Sequence, residues 1–151
     1  MADIKDMELF MGIDPGKSGC IVLLDEDGNM IASQRLSDTM HDVSNFLAVF
    51  KDSIRFAVLE KVSAMPRQGV ASTFKFGTSY GFCLGLLAAF GIPYELHTPS
   101  KWQGVMRCRS KGDKKVTKAA AQALFPKVKI THAEADAALI AEFCRRTRLG
   151  I

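Results

Sequence analysis

The sequence predicts an α/β fold: a five-stranded mixed sheet, three antiparallel strands and then parallel ones, covered by helices. Three observations carry that reading. Apolar runs near the N-terminus are punctuated by tight turns, as in consecutive hairpin strands. A segment of helical periodicity then leads to a fourth apolar run, the mark of a crossover to a parallel neighbour. After residue 97 the pattern changes to helices, so strands come first and helices close the fold.

Leu9–Ile13 reads as the first strand, and Pro15-Gly16 as the turn that ends it. Cys20–Leu24 is uninterrupted in hydrophobicity, which predicts a strand covered on both faces. Asp25–Asn29 makes a tight turn into a third strand, Met30–Leu36. Ser37 or Asp38 can cap a helix reaching Lys51, because Val43, Phe46, Leu47 and Phe50 follow the spacing i, i+3, i+4, i+7. Ile54–Leu59 is the fourth strand. After Glu60 a flexible stretch, Ser63–Gly69, precedes a long apolar segment, about Ala71 to Phe90, with Gly77, Gly81 and Gly85 four residues apart. Small residues at that interval permit close packing, and the segment is expected to be a core helix ended by Gly91 and Pro93. Ile92–His97 is the fifth strand. Helices are expected from Pro99, over Lys114–Phe125, and from His132 to Arg146.

Composition bounds the possibilities. At 151 residues the chain is expected to form a single domain, residues 1–151, with a sizeable core. No apolar run has the length of a membrane span and no signal-peptide pattern opens the chain, so no membrane partner is expected. Cys20, Cys83, Cys108 and Cys144 form no CxxC pair and mostly sit in apolar surroundings. They are expected to be buried free thiols in a reducing, cytoplasmic compartment.

Chemistry concentrates at three acids beside apolar runs. Asp14 closes the first strand, Glu60 closes the fourth, and Asp136 interrupts the alanine-rich last helix. An ionised acid beside buried structure is costly unless a positive group compensates it. Three that converge repel one another, and a divalent cation is the usual remedy. The pattern therefore points to a metal-dependent phosphotransfer site. His132 lies four residues before Asp136, on the same helix face if the helix begins early enough, although a histidine at a helix start also serves as a cap or surface group. Glu134 is rotated roughly 200° from Asp136 and is expected to face solvent, unless a non-helical first turn brings it inward. The run Gly12-Ile13-Asp14-Pro15-Gly16-Lys17-Ser18 is not a Walker loop. It has one residue too few between its glycines and leads into a strand, where a phosphate-binding loop needs a helix.

The charge is unevenly spread. Lys101, Arg107, Arg109, Lys111, Lys114, Lys115 and Lys118 lie within eighteen residues, opposed only by Asp113, and Arg145, Arg146 and Arg148 add a basic tail. Such a segment suits a nucleic-acid backbone, with a solvated helix face as the plainer alternative. Trp102, in its midst, is read as a core anchor rather than a base-stacking group.

Six motifs, Gly12–Gly16, Leu59-Glu60, Phe76–Gly81, Pro99–Trp102, Leu124–Pro126 and His132–Ala137, occur in the order and approximate spacing of the RuvC-like Holliday junction resolvases. Over about residues 8–146 the chain resembles that family, above all the compact versions carried by bacteriophages and prophages. The resemblance implies an RNase H-like fold, a homodimer, and Mg²⁺- or Mn²⁺-dependent nicking of four-way DNA junctions in a bacterial cell or infected host. It maps the catalytic and metal-binding positions onto Asp14, Glu60 and Asp136, with His132 matching the fourth, one residue out of the bacterial spacing. Where bacterial members carry an aromatic after the glutamate, this chain has Ser63, which leaves two readings: Phe74 or Phe76 substitutes, or the sequence preference at the cleavage point is looser.

The expected activity is a structure-selective endonuclease acting on four-way and other branched DNA. Two ions roughly 4 Å apart would share Asp14 between Glu60 and Asp136, with His132 as ligand or acid/base, and leave 5′-phosphate ends. Lys17, Arg67 and the basic segment would hold the DNA backbone, and no nucleotide cofactor is expected. The alternative is a catalytically silent module of the same fold that binds branched nucleic acid. An actin-type ATPase shares the hairpin aspartate, but its second nucleotide-binding half does not fit in 151 residues.

Overall fold

The computed structural model describes residues 3–16 and 18–151. After a single 3-10 turn at Ile4–Asp6 come β1 (Leu9–Asp14), β2 (Cys20–Leu24) and β3 (Met30–Arg35), then α1 (Met40–Phe50) and β4 (Ile54–Glu60). The chain continues through α2 (Val70–Ala89), β5 (Tyr94–His97), α3 (Pro99–Val105), α4 (Lys114–Leu124) and α5 (His132–Leu149). The five strands form one sheet in the order β3-β2-β1-β4-β5. β1, β2 and β3 pair antiparallel, while β4 pairs parallel with β1 and β5 parallel with β4. The mixed sheet covered by helices is the architecture the sequence predicts.

The three central strands, β2, β1 and β4, are buried from both sides, while β3 and β5 at the edges are partly exposed. Along β2 the side chains of Cys20, Val22 and Leu24 enter one core and those of Ile21 and Leu23 the other, so its continuous hydrophobicity reflects two covered faces. The first core is closed by α5, α4 and Trp102 of α3. The second takes Val43 and Leu47 of α1 with Cys83 and Leu87 of α2. All four cysteines are buried free thiols. Burial pushes the Cys20, Cys83 and Cys144 thiols up to about 12 and Cys108 up to about 11, so they are poor nucleophiles. Among the described residues no helix is long and apolar enough to cross a membrane.

Three expectations change. The cap of α1 is Thr39 rather than Ser37 or Asp38, because Thr39 and Asp42 bond each other's backbone N–H in a reciprocal box. Helix α2 is not a core helix. Only Cys83 and Leu87 are fully buried, and a Cβ placed on Gly77, Gly81 or Gly85 would meet nothing within 4 Å. Its glycine face is open because the sheet takes the opposite side. The basic tail is also largely committed to structure. Arg145 bonds Glu142 and the carbonyl of Glu26, Arg146 bonds Glu142, and Arg148 lies 3.9 Å over the Phe56 ring.

Candidate active site

Asp14 and Glu60 are the last residues of β1 and β4, which are adjacent and parallel with Ile13 opposite Leu59. Their carboxylates therefore leave the sheet side by side at one end. Helix α5 crosses β1 closely enough that a Cβ on Gly12 would lie 2.2 Å from the Ala141 nitrogen. Only glycine permits that approach, and the alanines of α5 answer it from the helix side. The crossing delivers Asp136, 7% exposed, to the same end.

The acids are electrostatically coupled. Burial, and then the charge of Asp136, raises the pKa of Asp14, against the Lys114 charge and a Gly16 N–H that donates to its Oδ1 at 3.3 Å. Burial and the Asp14 charge push Glu60 up to about 7. The Trp102 indole opposes that shift by donating Nε1–H to Glu60 Oε2 at 2.7 Å. Trp102 is thus a core anchor, as expected, and also the group that orients Glu60. Lys114 Nζ donates to Asp136 Oδ2 at 2.8 Å, while Asp136 Oδ1 is buried with no hydrogen-bond partner. Burial lowers the pKa of Lys114, but its bond to Asp136 and the charges of all three acids outweigh this and raise it.

Hard oxygen donors, an orphaned buried carboxylate oxygen and two acids with raised pKa fit a divalent cation such as Mg²⁺. They are not drawn up around one point: among the described residues no three of His, Cys, Asp or Glu stand close enough to hold a metal. Lys114 and Trp102 each take one oxygen of an expected ligand. His132 is the exposed first residue of α5, one turn before Asp136. Glu134 does not simply face solvent. Its Oε1 accepts from the backbone and hydroxyl of Thr131, and its Oε2 accepts from Ser33 of β3. Both oxygens are engaged in holding the start of α5, which leaves His132 the freer of the two.

The basic segment lines a cavity of about 460 Å³ that opens onto Glu60 and Asp136, with Arg109, Lys111 and Lys114 in its wall. Arg107 and Lys111 adopt left-handed backbone, φ 56° and 50°, in the loop that carries them. Lys101 and Arg107 line a separate cavity beside Arg146. Lys115 is exposed on α4 and Lys118 is half-buried there. Arg67 is exposed in the 61–69 loop with φ 68°. Lys17 lies outside the described residues. Sequence reasoning placed Lys114 among the DNA contacts and missed its bond to Asp136, a pairing across 22 residues that no local pattern announces.

No protein-family model and no curated protein sequence matches the chain. Solved structures do. "T. thermophilus RuvC in complex with Holliday junction substrate" superposes with a TM-score of 0.67 at 16% identity, covering 94% of this chain and 96% of that one. This chain has the RuvC fold. A second RuvC structure from Thermus thermophilus gives a TM-score of 0.65 at the same identity and coverage. The RuvC fold is RNase H-like, which agrees with the mixed five-stranded sheet found here.

Proposed function

We propose that the chain is a structure-selective endonuclease of the RuvC-like resolvases that cuts four-way and other branched DNA. The observation that carries this is the electrostatic coupling of Asp14, Glu60 and Asp136 at the same end of a RuvC fold, with Asp136 Oδ1 buried and unpartnered. Asp14, Glu60 and Asp136 would hold one or two Mg²⁺ or Mn²⁺ ions, with His132 as a further ligand or acid/base. When bound, such ions activate a water and steady the departing 3′ oxygen, which leaves a 5′ phosphate.

The chain's own residues do the rest. Trp102 orients Glu60, and the Gly16 N–H steadies Asp14. Arg109, Lys111 and Lys115 neutralise backbone phosphates without reading bases. Phe74, 76% exposed near the start of α2, fills the role of the aromatic that Ser63 lacks. Paired nicks require two sites, and a second copy is proposed to seat on the open face of α2, where Val70 is 89% exposed beside the glycines.

Purified protein is incubated with a labelled four-way junction, a linear duplex and an RNA–DNA hybrid, with and without Mg²⁺. Wild type is expected to cut the junction only with Mg²⁺. Asp14→Asn is expected to lose cutting and keep junction binding, because removing a negative charge near phosphates does not weaken association. Cutting by Asp14→Asn at the wild-type rate sinks the site. The Lys114–Asp136 ion pair favours a second reading, a silent binding module in which the ammonium stands in for a cation. Wild type that binds the junction and never cuts it supports that reading instead.

A further inference from the structure

We propose that a second cavity, on the far flank of Asp14 from the basic loop, holds a backbone phosphate of the substrate strand through Arg35 and Lys75. The inference rests on the nuclease reading and extends its DNA-binding surface to residues outside the basic segment.

The cavity measures about 570 Å³ and lies where the β1–β2 turn, the end of β3, α2 and the start of α5 meet. Arg35 and Lys75 supply its charge, Ser18 and Ser37 supply hydroxyls, and among the described residues no carboxylate lines it. It is built on the same backbone as the active site. Ser79 Oγ donates to the Pro15 carbonyl at 2.7 Å, next to Asp14, and Leu36 N–H donates to the Gly19 carbonyl at 3.0 Å. Ala133, also in its wall, precedes Asp136 by about one helical turn. In the sheet, β3 and β4 lie on opposite sides of β1, so this cavity and the one holding Arg109, Lys111 and Lys114 flank the acids from two directions.

A phosphodiester is a monoanion with two exposed oxygens, and an arginine fork, an ammonium and hydroxyl donors match it. Nearby negative charge is limited. Asp38 touches Arg35 at 3.4 Å in an exposed pair and also accepts from Gln34 at 2.9 Å, so the guanidinium keeps donors free. Glu134 is tied to Thr131 and Ser33. A strand held at both flanks has its scissile phosphate centred over the carboxylates, which is a positioning role for Arg35 and Lys75.

The test is junction binding by fluorescence anisotropy in EDTA across a salt series, comparing wild type, Arg35→Gln/Lys75→Gln and Lys75→Arg. Loss of one phosphate contact should flatten the slope of log K against log salt by up to roughly 0.9, and Lys75→Arg should keep the wild-type slope. Methylphosphonates placed singly along the strand should weaken wild-type binding at one position on this flank of the scissile phosphate. The same substitutions should cost the double variant nothing further. An unchanged slope, or additive losses at every position, overturns the inference. Mg²⁺-dependent cutting by wild type is measured in parallel. Cutting with an unchanged variant slope overturns this cavity alone, whereas wild type that neither binds nor cuts overturns the nuclease reading and the cavity together.

Discussion

Glu60 experiences burial, two acidic neighbours and an indole hydrogen bond, and the result is a carboxyl that titrates near neutral pH. Its folded pKa of about 7 lies above the ordinary 4.5. The native state therefore holds a proton that the unfolded chain has released, and stability falls as pH rises from 4.5 to about 7. Below 4.5 both states are protonated and the carboxyl costs nothing. Glu60→Gln keeps an acceptor for the Trp102 indole and removes the charge. Without divalent ions it should melt about 5 to 10 °C above wild type at pH 8, from a difference of roughly 3 kcal/mol at most, with the gap closing toward pH 4.5. Added Mg²⁺ should raise wild type more than the variant. Equal melting temperatures at pH 8 would remove the electrostatic strain on which the cation argument depends. The three acids were legible in the sequence because a charged residue at the end of a buried run is conspicuous. Lys114 on Asp136 and Trp102 on Glu60 were not, since hydrogen bonds across 22 and 42 residues leave no trace in periodicity.

At the scale of elements, the contact between β1 and α5 sets the distance between Asp14 and Asp136. Gly12 has no room for a methyl: its Cβ would lie 2.3 Å from the Ala137 carbonyl oxygen and 2.7 Å from the Ala141 Cα, both backbone atoms that cannot rotate away. Gly12→Ala must push the helix off the sheet, at a cost of about 3 kcal/mol or more, and should carry Asp136 away from Asp14 with it. Urea unfolding is expected to show the lower midpoint, and Mg²⁺ should stabilise the variant less than wild type. A midpoint within error of wild type would mean that the crossing is looser than described. The alanines around Asp136 were read as an apolar helix face. Their smallness answers Gly12, about 125 residues earlier, and only the three-dimensional pairing reveals it. Strands and amphipathic helices were legible because burial has a period. The fate of α2 was not, since glycines spaced by four announce a close approach without saying whether the partner belongs to the same chain.

Across the whole molecule, Arg109, Lys111 and Lys114 share a cavity with Glu60 and Asp136, while the C-terminal arginines serve Glu142, the β2–β3 turn and Phe56. A basic stretch in a sequence is therefore a nucleic-acid surface only where its charges remain unpaired. Apolar exposure is as uneven, with Val70 standing out along the glycine face of α2. Glycine inside an exposed helix costs roughly 0.5–1 kcal/mol relative to alanine, so three in a stripe weaken the helix unless another backbone comes close. A second copy seated there would use that space through a self-complementary contact. Gly81→Leu should then turn a dimer into a monomer in sedimentation equilibrium while preserving the far-ultraviolet circular dichroism of the folded chain. Wild type should melt at a temperature that rises with protein concentration, and the variant at one that does not. If the stripe faced only water, Gly81→Leu would leave the sedimenting mass unchanged and raise the melting temperature at every concentration through helix propensity alone. That outcome would overturn the proposed dimer through α2.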